Sequence, residues 1–217
     1  VREEGASPNL YLMPLAGGEA RRLTEHRAGV GEYIWHPNGQ QIAYLTRGDW
    51  EDGPAKTGLP RRITRGHWRG DGAGVLPSEP AQVHLLNVKS RKSRALTDLK
   101  VNVADLAFSH DGATLYLVAQ TPDEGFSAYR GDLLAIDVAS GKSKTLLHSV
   151  LGLSEPVPAP DGKSLVFSAP ADPEDFVSAA GLWQLELKKV RGGVAAAGAP
   201  RLLSGDYDTQ HSAGGDS

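Results

Sequence analysis

Phe108-Ser-His-Asp-Gly-Ala-Thr-Leu-Tyr-Leu-Val118 sets a tight turn between an apolar approach and an alternating apolar strand. Asp-Gly suits a hairpin turn because both residues tolerate positive φ. The same phrase occurs twice more, as Trp35-His-Pro-Asn-Gly-Gln-Gln-Ile-Ala-Tyr44 and as Ala159-Pro-Asp-Gly-Lys-Ser-Leu-Val-Phe167. A second phrase keeps step with it: Gly18-Glu-Ala-Arg-Arg-Leu-Thr24, Ser90-Arg-Lys-Ser-Arg-Ala-Leu-Thr97, Ser140-Gly-Lys-Ser-Lys-Thr-Leu146 and a worn copy, Ala199-Pro-Arg-Leu-Leu-Ser204. Gly39, Gly112 and Gly162 mark the first phrase; Leu23, Leu96, Leu146 and Leu202 mark the second. Two phrases recurring together at roughly 50 residues, with one longer step, describe a repeat architecture.

Around these phrases the chain reads as short strands. Leu10–Met13 and Arg21–Thr24 form the end of one unit, 10–24. A first full unit, 30–97, holds Tyr33–Trp35, Gln41–Leu45, Val83–Val88 and Ser93–Thr97, and is broken by an insert, Thr46 to Pro80, rich in Gly, Pro, Arg and Asp. A second, 101–147, holds Val103–Phe108, Thr114–Ala119, Asp132–Val138 and Lys144–Leu147. A third, 153–203, holds Leu165–Ser168, Leu182–Leu187 and Arg201–Leu203, with a first strand near Leu153–Val157 weakened by Pro156 and Pro158. Lys189–Pro200 reads as a Gly/Ala loop, and 204–217 as a tail or a loop between units. No segment carries a helical stripe. Four strands per unit, with neighbours stacked to cover both apolar faces of each sheet, describe propeller blades. The expected fold is therefore all-β, a single partial propeller domain over 1–217 with about three full antiparallel blades and part of another. An antiparallel sandwich also uses short strands and Gly turns but does not require two phrases to recur in step.

Composition narrows the function. The net charge of −3 gives no reason to expect nucleic acid or an anionic membrane, and no apolar run reaches the length of a membrane helix. Cysteine is absent, so disulfides and thiolate metal sites are excluded; this fits a reducing compartment, and a cytoplasmic location is expected. Both ends look cut, so a fragment of a longer protein is expected.

The phrase Trp/Phe-Ser/His-Pro-Asp/Asn-Gly-x-x-Ile/Leu-Ala/Val-Tyr/Phe resembles the TolB/WD40-like propeller repeat of bacterial TolB proteins and of the prolyl oligopeptidase family. Pro60-Arg-Arg-Ile-Thr-Arg-Gly-His-Trp-Arg-Gly-Asp-Gly-Ala-Gly74, followed by Gln82-Val-His-Leu-Leu-Asn-Val88, is similar to a segment of the acylaminoacyl-peptidase branch of that family. The resemblance runs from Leu10 to about Leu203. It implies an N-terminal propeller that belongs beside an α/β-hydrolase domain carrying Ser, Asp and His, in a serine peptidase of acylaminoacyl or carboxypeptidase type. Those catalytic residues are not expected in this chain. Gly125-Phe-Ser-Ala-Tyr129 and Gly152-Leu-Ser-Glu-Pro156 lack the second glycine of a nucleophile elbow. The implied partners are further blades and the hydrolase domain, in the same polypeptide or as a separate chain, and short peptide substrates. Homo-oligomerisation stays open. The implied role is to limit access to the active site and to read the substrate's terminus. The alternative is a free-standing TolB-like propeller used for protein–protein binding.

The candidate substrate-binding residues are Arg61, Arg62, Arg65 and Arg69, whose guanidinium forks suit a carboxylate. The competing reading pairs them with Asp49, Glu51 and Asp52. No metal or cofactor is expected. The histidines are scattered, Asp206-Tyr-Asp208 is too short for a calcium loop, and Gly70-Asp-Gly-Ala-Gly74 lacks the following helix of a phosphate loop. His36 and His110 read as equivalent turn residues of two repeats. Trp35, Phe108 and Trp183 are expected in the core between blades.

Overall fold

The computed structural model describes residues 7–47, 69–70, 74–75, 79–120, 129–172, 174–175 and 178–205. These form seventeen strands, β1 to β17, and no α-helix. They fall into two compact units that part between Asn102 and Val103.

The first unit begins with a two-stranded ribbon, β1 (Tyr11–Leu12) against β2 (Arg21–Arg22). A four-stranded meander follows: β3 (Val30–Trp35), β4 (Gln41–Thr46), β7 (Gln82–Asn87) and β8 (Ser93–Ala95). Between β4 and β7 a short hairpin pairs β5 (Arg69–Gly70) with β6 (Gly74–Val75). The core joins ribbon to meander: Leu10 and Leu23 pack with Val30, Ile42, Tyr44 and Leu86.

The second unit holds two meanders. One is β9 (Val103–Phe108), β10 (Thr114–Gln120), β11 (Arg130–Asp137) and β12 (Ser143–Leu151). The other is β13 (Ser154–Pro158), β14 (Ser164–Pro170), β15 (Ala180–Val190) and β17 (Arg201–Leu202). Their facing surfaces share one core, with Tyr116, Leu133 and Leu146 from the first meeting Leu165, Phe167 and Leu185 from the second. Burial of these side chains, about 1.5–3 kcal/mol each, is what holds sheet to sheet. Lys189–Pro200 is not a plain loop. The second half of β15 continues past the meander and pairs with β16 (Gly193–Ala196), because Gly192 at φ +83° permits the two-residue turn Arg191–Gly192.

The repeated turn has one geometry. The amides of Gly39, Gly112 and Gly162 each donate to the carbonyl three residues earlier, on His36, Ser109 and Ala159, at 2.9 Å. His36 is thus equivalent to Ser109, not to His110, which stands where Pro37 and Pro160 stand. Only the glycine takes positive φ; the residue before it does not. Asn38, Asp111 and Asp161 serve instead as acceptors, each taking the amide two residues on at 2.9–3.0 Å. Burial corrects one further expectation. Trp35, the last residue of β3, is 48% exposed and not part of the core. Phe108 is half-buried, and Trp183 packs on the second unit's core while its indole N–H donates to Pro170 O at 3.2 Å.

The second phrase closes each sheet with a polar clasp between the third strand's start and the fourth strand's end. Thr24 Oγ1 accepts the amide of Leu10 and donates to Asn9 Oδ1, both at 2.9 Å. Thr97 Oγ1 does the same with Val83 and Gln82 Oε1, both at 2.9 Å. In the second unit, Asp132 Oδ1 accepts the amide of Ser149 at 2.8 Å, and Ser204 Oγ accepts that of Leu182 at 3.0 Å. The clasp pairs Leu182 with Leu203 rather than Leu202, so the last copy of the phrase is shifted by one residue.

Candidate functional site

The insert between β4 and β7 is tied at its root by side chains from both flanks. Asn102 Oδ1 accepts the amide of Ala81 at 2.9 Å and Nη2 of Arg47 at 3.4 Å. Arg47 Nε donates to Glu79 O at 2.9 Å, so one guanidinium bridges the outgoing and returning stems. Gln82 completes the knot. Its Oε1 accepts the amide of Leu99 at 2.7 Å, and its Nε2 donates to the carbonyls of Ala81 and Val101, both at 2.9 Å. An open cavity of about 260 Å³ lies here, lined by Thr46, Arg47, Glu79, His84, Asp98 and Lys100. Lys100 pairs with Asp98 at 3.1 Å on the rim.

His84 links this cavity to the core. Tyr44, His84 and Ala95 stand opposite one another on β4, β7 and β8, which puts the imidazole beside the buried phenol. The rings of His26, Tyr44 and His84 form a cluster with centroids 5.6–5.7 Å apart. Beyond His26 is a second cavity of about 400 Å³, lined by Arg22, Glu25, His26, Arg91 and Ser93. Burial holds the His84 pKa below that of a free imidazole, and the charge of His26 lowers it further. Burial likewise raises the Tyr44 phenol, against a hydrogen bond from Ser93. Burial thus disfavours the charged forms of both His84 and Tyr44, so neither is set up as a nucleophile with its base.

Of the arginines singled out in the sequence, Arg61, Arg62 and Arg65 lie outside the described residues, as do Asp49, Glu51 and Asp52. Arg69 opens β5, its Cα paired with Val75, and its side chain is also outside them. Ser154 of the second elbow-like string sits in β13 opposite Ser168, within a sheet and not at a strand-to-helix turn. Ser127 of the first lies outside the described residues. Among the described residues no cluster of three His, Asp or Glu side chains is placed to hold a metal. Sequence reasoning missed Arg47, Gln82 and Asn102. A signal for Gln82 was present, because it precedes Val83 as Asn9 precedes Leu10, each with a Leu-Thr downstream.

No family model matches the chain. Over 123 residues, 54% of its length, it is 36% identical to a Bacillus subtilis protein described as the uncharacterized peptidase YuxL. The chain spans about a fifth of that relative, the match covering 19% of it. Among solved structures it resembles the acylaminoacyl peptidase of Pyrococcus horikoshii, with a TM-score of 0.60 at 9% identity over 87% of this chain and 28% of that one. It also resembles TolB of Acinetobacter baumannii, with a TM-score of 0.59 at 15% identity over 93% of this chain and 38% of that one. The fold is a β-propeller, and its sequence relative is a peptidase. The propeller meanders are the four-stranded sheets described above, and the expected resemblance holds in sequence to a protein described as a peptidase and in structure to propeller folds.

Proposed function

We propose that this chain is the non-catalytic propeller portion of a serine peptidase of the prolyl oligopeptidase family, acylaminoacyl or carboxypeptidase type. The observation that carries the reading is the 36% identity to a peptidase over 123 residues. In this reading the sheets of both units, with the boundaries given from the sequence, belong to one propeller domain. The propeller narrows the approach to a hydrolase domain so that short peptides enter and folded proteins do not. The insert, held by Arg47 and Asn102, presents Arg61, Arg62, Arg65 and Arg69 to the charged end of the substrate. Further blades and the hydrolase domain, in the same polypeptide or as a separate chain, cover the outer face of the β13–β17 meander, where Val157 is 62% exposed and Leu203 44%. The complete protein works in the cytoplasm.

The test uses the complete gene product. Turnover of short acylated or free peptides, blocked by a serine-directed inhibitor and absent with a folded protein substrate, is the expected result. Equal cleavage of folded protein overturns the access role. Arg→Ala at each of the four positions separates the terminus-reading role: at least one should raise KM for a free-carboxylate peptide about tenfold and spare its amidated form. Four variants that lose stability with KM unchanged make the arginines partners of Asp49, Glu51 and Asp52. Cell fractionation tests the location. A second reading, a TolB-like propeller for protein binding, draws on the likeness to TolB over 93% of the chain. A stop codon before any Gly-x-Ser-x-Gly motif in the reading frame decides for it.

A further inference from the structure

The β15–β16 ribbon has no counterpart in the other described meanders. It does not project into solvent. Val194 and Ala196 pack on the core that includes Leu133, Ala135 and Leu146, so the ribbon lies against the β9–β12 meander of the same unit. Where its tip meets that sheet there is a cavity of about 440 Å³. Thr114, Ala135 and Val194 line it together with Lys142, Lys144 and Arg191.

The charges in this corner do not cancel. Among the described residues Asp137 is its one carboxylate, and it is already engaged by the amide of Ser140 at 2.7 Å and the Ser140 hydroxyl at 2.6 Å. Lys144 stands opposite Ala135, and the Lys142 carbonyl accepts the amide of Asp137, so the two lysines share one side of the sheet about 7 Å apart. Arg191 is set by the tight turn that Gly192 permits, on a ribbon fixed by its apolar side. Building this corner takes a strand extension that the blade pattern does not call for. It leaves three cations around one hollow.

We propose that this corner binds a small molecule carrying two phosphoryl groups. Three cations against one engaged carboxylate match a ligand of several negative charges. Ammonium groups act as mobile point charges toward phosphate oxygens, while the Arg191 fork can take two at once. Among the described residues no aromatic side chain lines the cavity, so a nucleobase finds no stacking platform there, and the net charge of −3 offers no field for a nucleic acid. The hollow is of small-ligand size rather than an extended groove.

The test is calorimetric titration of the full chain with inorganic pyrophosphate at low ionic strength, where exposed cations act most strongly. One site per chain is expected, tighter for pyrophosphate than for orthophosphate or a tetraglutamate peptide. Lys144→Gln and Arg191→Gln should each weaken binding by about threefold to tenfold, and Lys89→Gln, in the first unit, should not. Pyrophosphate should also raise the melting temperature of the wild type and not of the double variant; this second readout holds even if one variant folds poorly. Absence of one-site binding, or variants that bind as the wild type does, overturns the proposal. Tetraglutamate binding as tightly as pyrophosphate also overturns it and makes the corner a docking patch for acidic peptides.

Discussion

The ring nitrogen Nε2 of His26 lies 2.9 Å from the hydroxyl of Tyr44, a side chain fully removed from solvent. That bond ties the connection after β2 to the centre of the next sheet, and His84 closes the triangle, its ring 5.6 Å from the same phenol and 5.7 Å from His26. Two imidazoles held this close cannot both carry a proton without cost. His84 resists protonation because of burial first and the charge of His26 second. Its folded-state pKa is therefore below the ordinary 6.5, and as pH falls the unfolded chain takes up the proton first. The stability due to neutral His84 is complete above about pH 6.5 and is lost as pH falls from there through the folded-state value. Thermal melts from pH 7.5 to 5 should show this loss in the wild type and a flatter profile in His84→Gln. Arg47, Glu79, Asp98 and Lys100 face His84 across its cavity, so the difference between the two profiles, not either alone, is the measurement. Parallel profiles refute the assignment.

Arg91 and Gly141 occupy the same place in equivalent turns. Each amide donates back to the turn's opening residue, Asn87 or Asp137, and each takes a left-handed φ, 56° and 73°. A side chain there costs about 1 kcal/mol that glycine avoids. Arg91→Gly should therefore stabilise the chain by up to about 1 kcal/mol, and Gly141→Ala should destabilise it by a similar amount. Urea unfolding with unchanged slope checks both. A gain in Arg91→Ala equal to that in Arg91→Gly would show that charge, not backbone conformation, is responsible.

Gly131 is needed for space. Its φ is ordinary, but a Cβ there would stand 2.7 Å from Val118 Cγ1, on the neighbouring strand of the same sheet. Gly131→Ala should cost about 1–3 kcal/mol through overpacking. Adding Val118→Ala should return part of it, and a double-mutant cycle measures the coupling. Independent, additive losses would mean that the strands separate elsewhere to admit the methyl group.

Asn102 holds both stems of the insert through one oxygen. Asn102→Ala leaves the Ala81 amide and Arg47 without that acceptor and should cost about 1–2 kcal/mol. Hydrogen exchange at Ala81 should quicken well before global unfolding. Unchanged protection at Ala81 would move the anchoring role to Gln82.

What the sequence made legible was whatever repeats. The strand order of each meander follows from the spacing of Gly39, Gly112 and Gly162, because a turn with one allowed geometry forces its flanks to pair. Residues that act once were hidden. Asn102 and Arg47 meet only when distant stems converge, and nothing at either position announces the other. The bulges in β9 and β13 place Asp105 and Glu155 at φ 55° and 52°, a conformation set by pairing across the sheet and not by local propensity. Trp35 misled because a large aromatic at a strand end reads as core, while at the end of β3 nearly half of it stays exposed. The β16 strand was hidden because its small residues carry little strand propensity; pairing with an overlong β15 supplies what their side chains do not.

The clasp of Arg47 and Asn102 turns the segment from Arg47 to Glu79 into an exchangeable cassette. Its ends are held at a fixed separation by groups that belong to the scaffold, so β4 and β7 do not depend on what joins them to keep their register. The entropy of closing a loop on fixed ends rises only logarithmically, about 0.6 kcal/mol per doubling of length. Lineages can thus lengthen, shorten or rewrite this segment at little thermodynamic cost, and a designer can splice a foreign recognition loop between Arg47 and Glu79 and expect the sheet beneath it to fold as before.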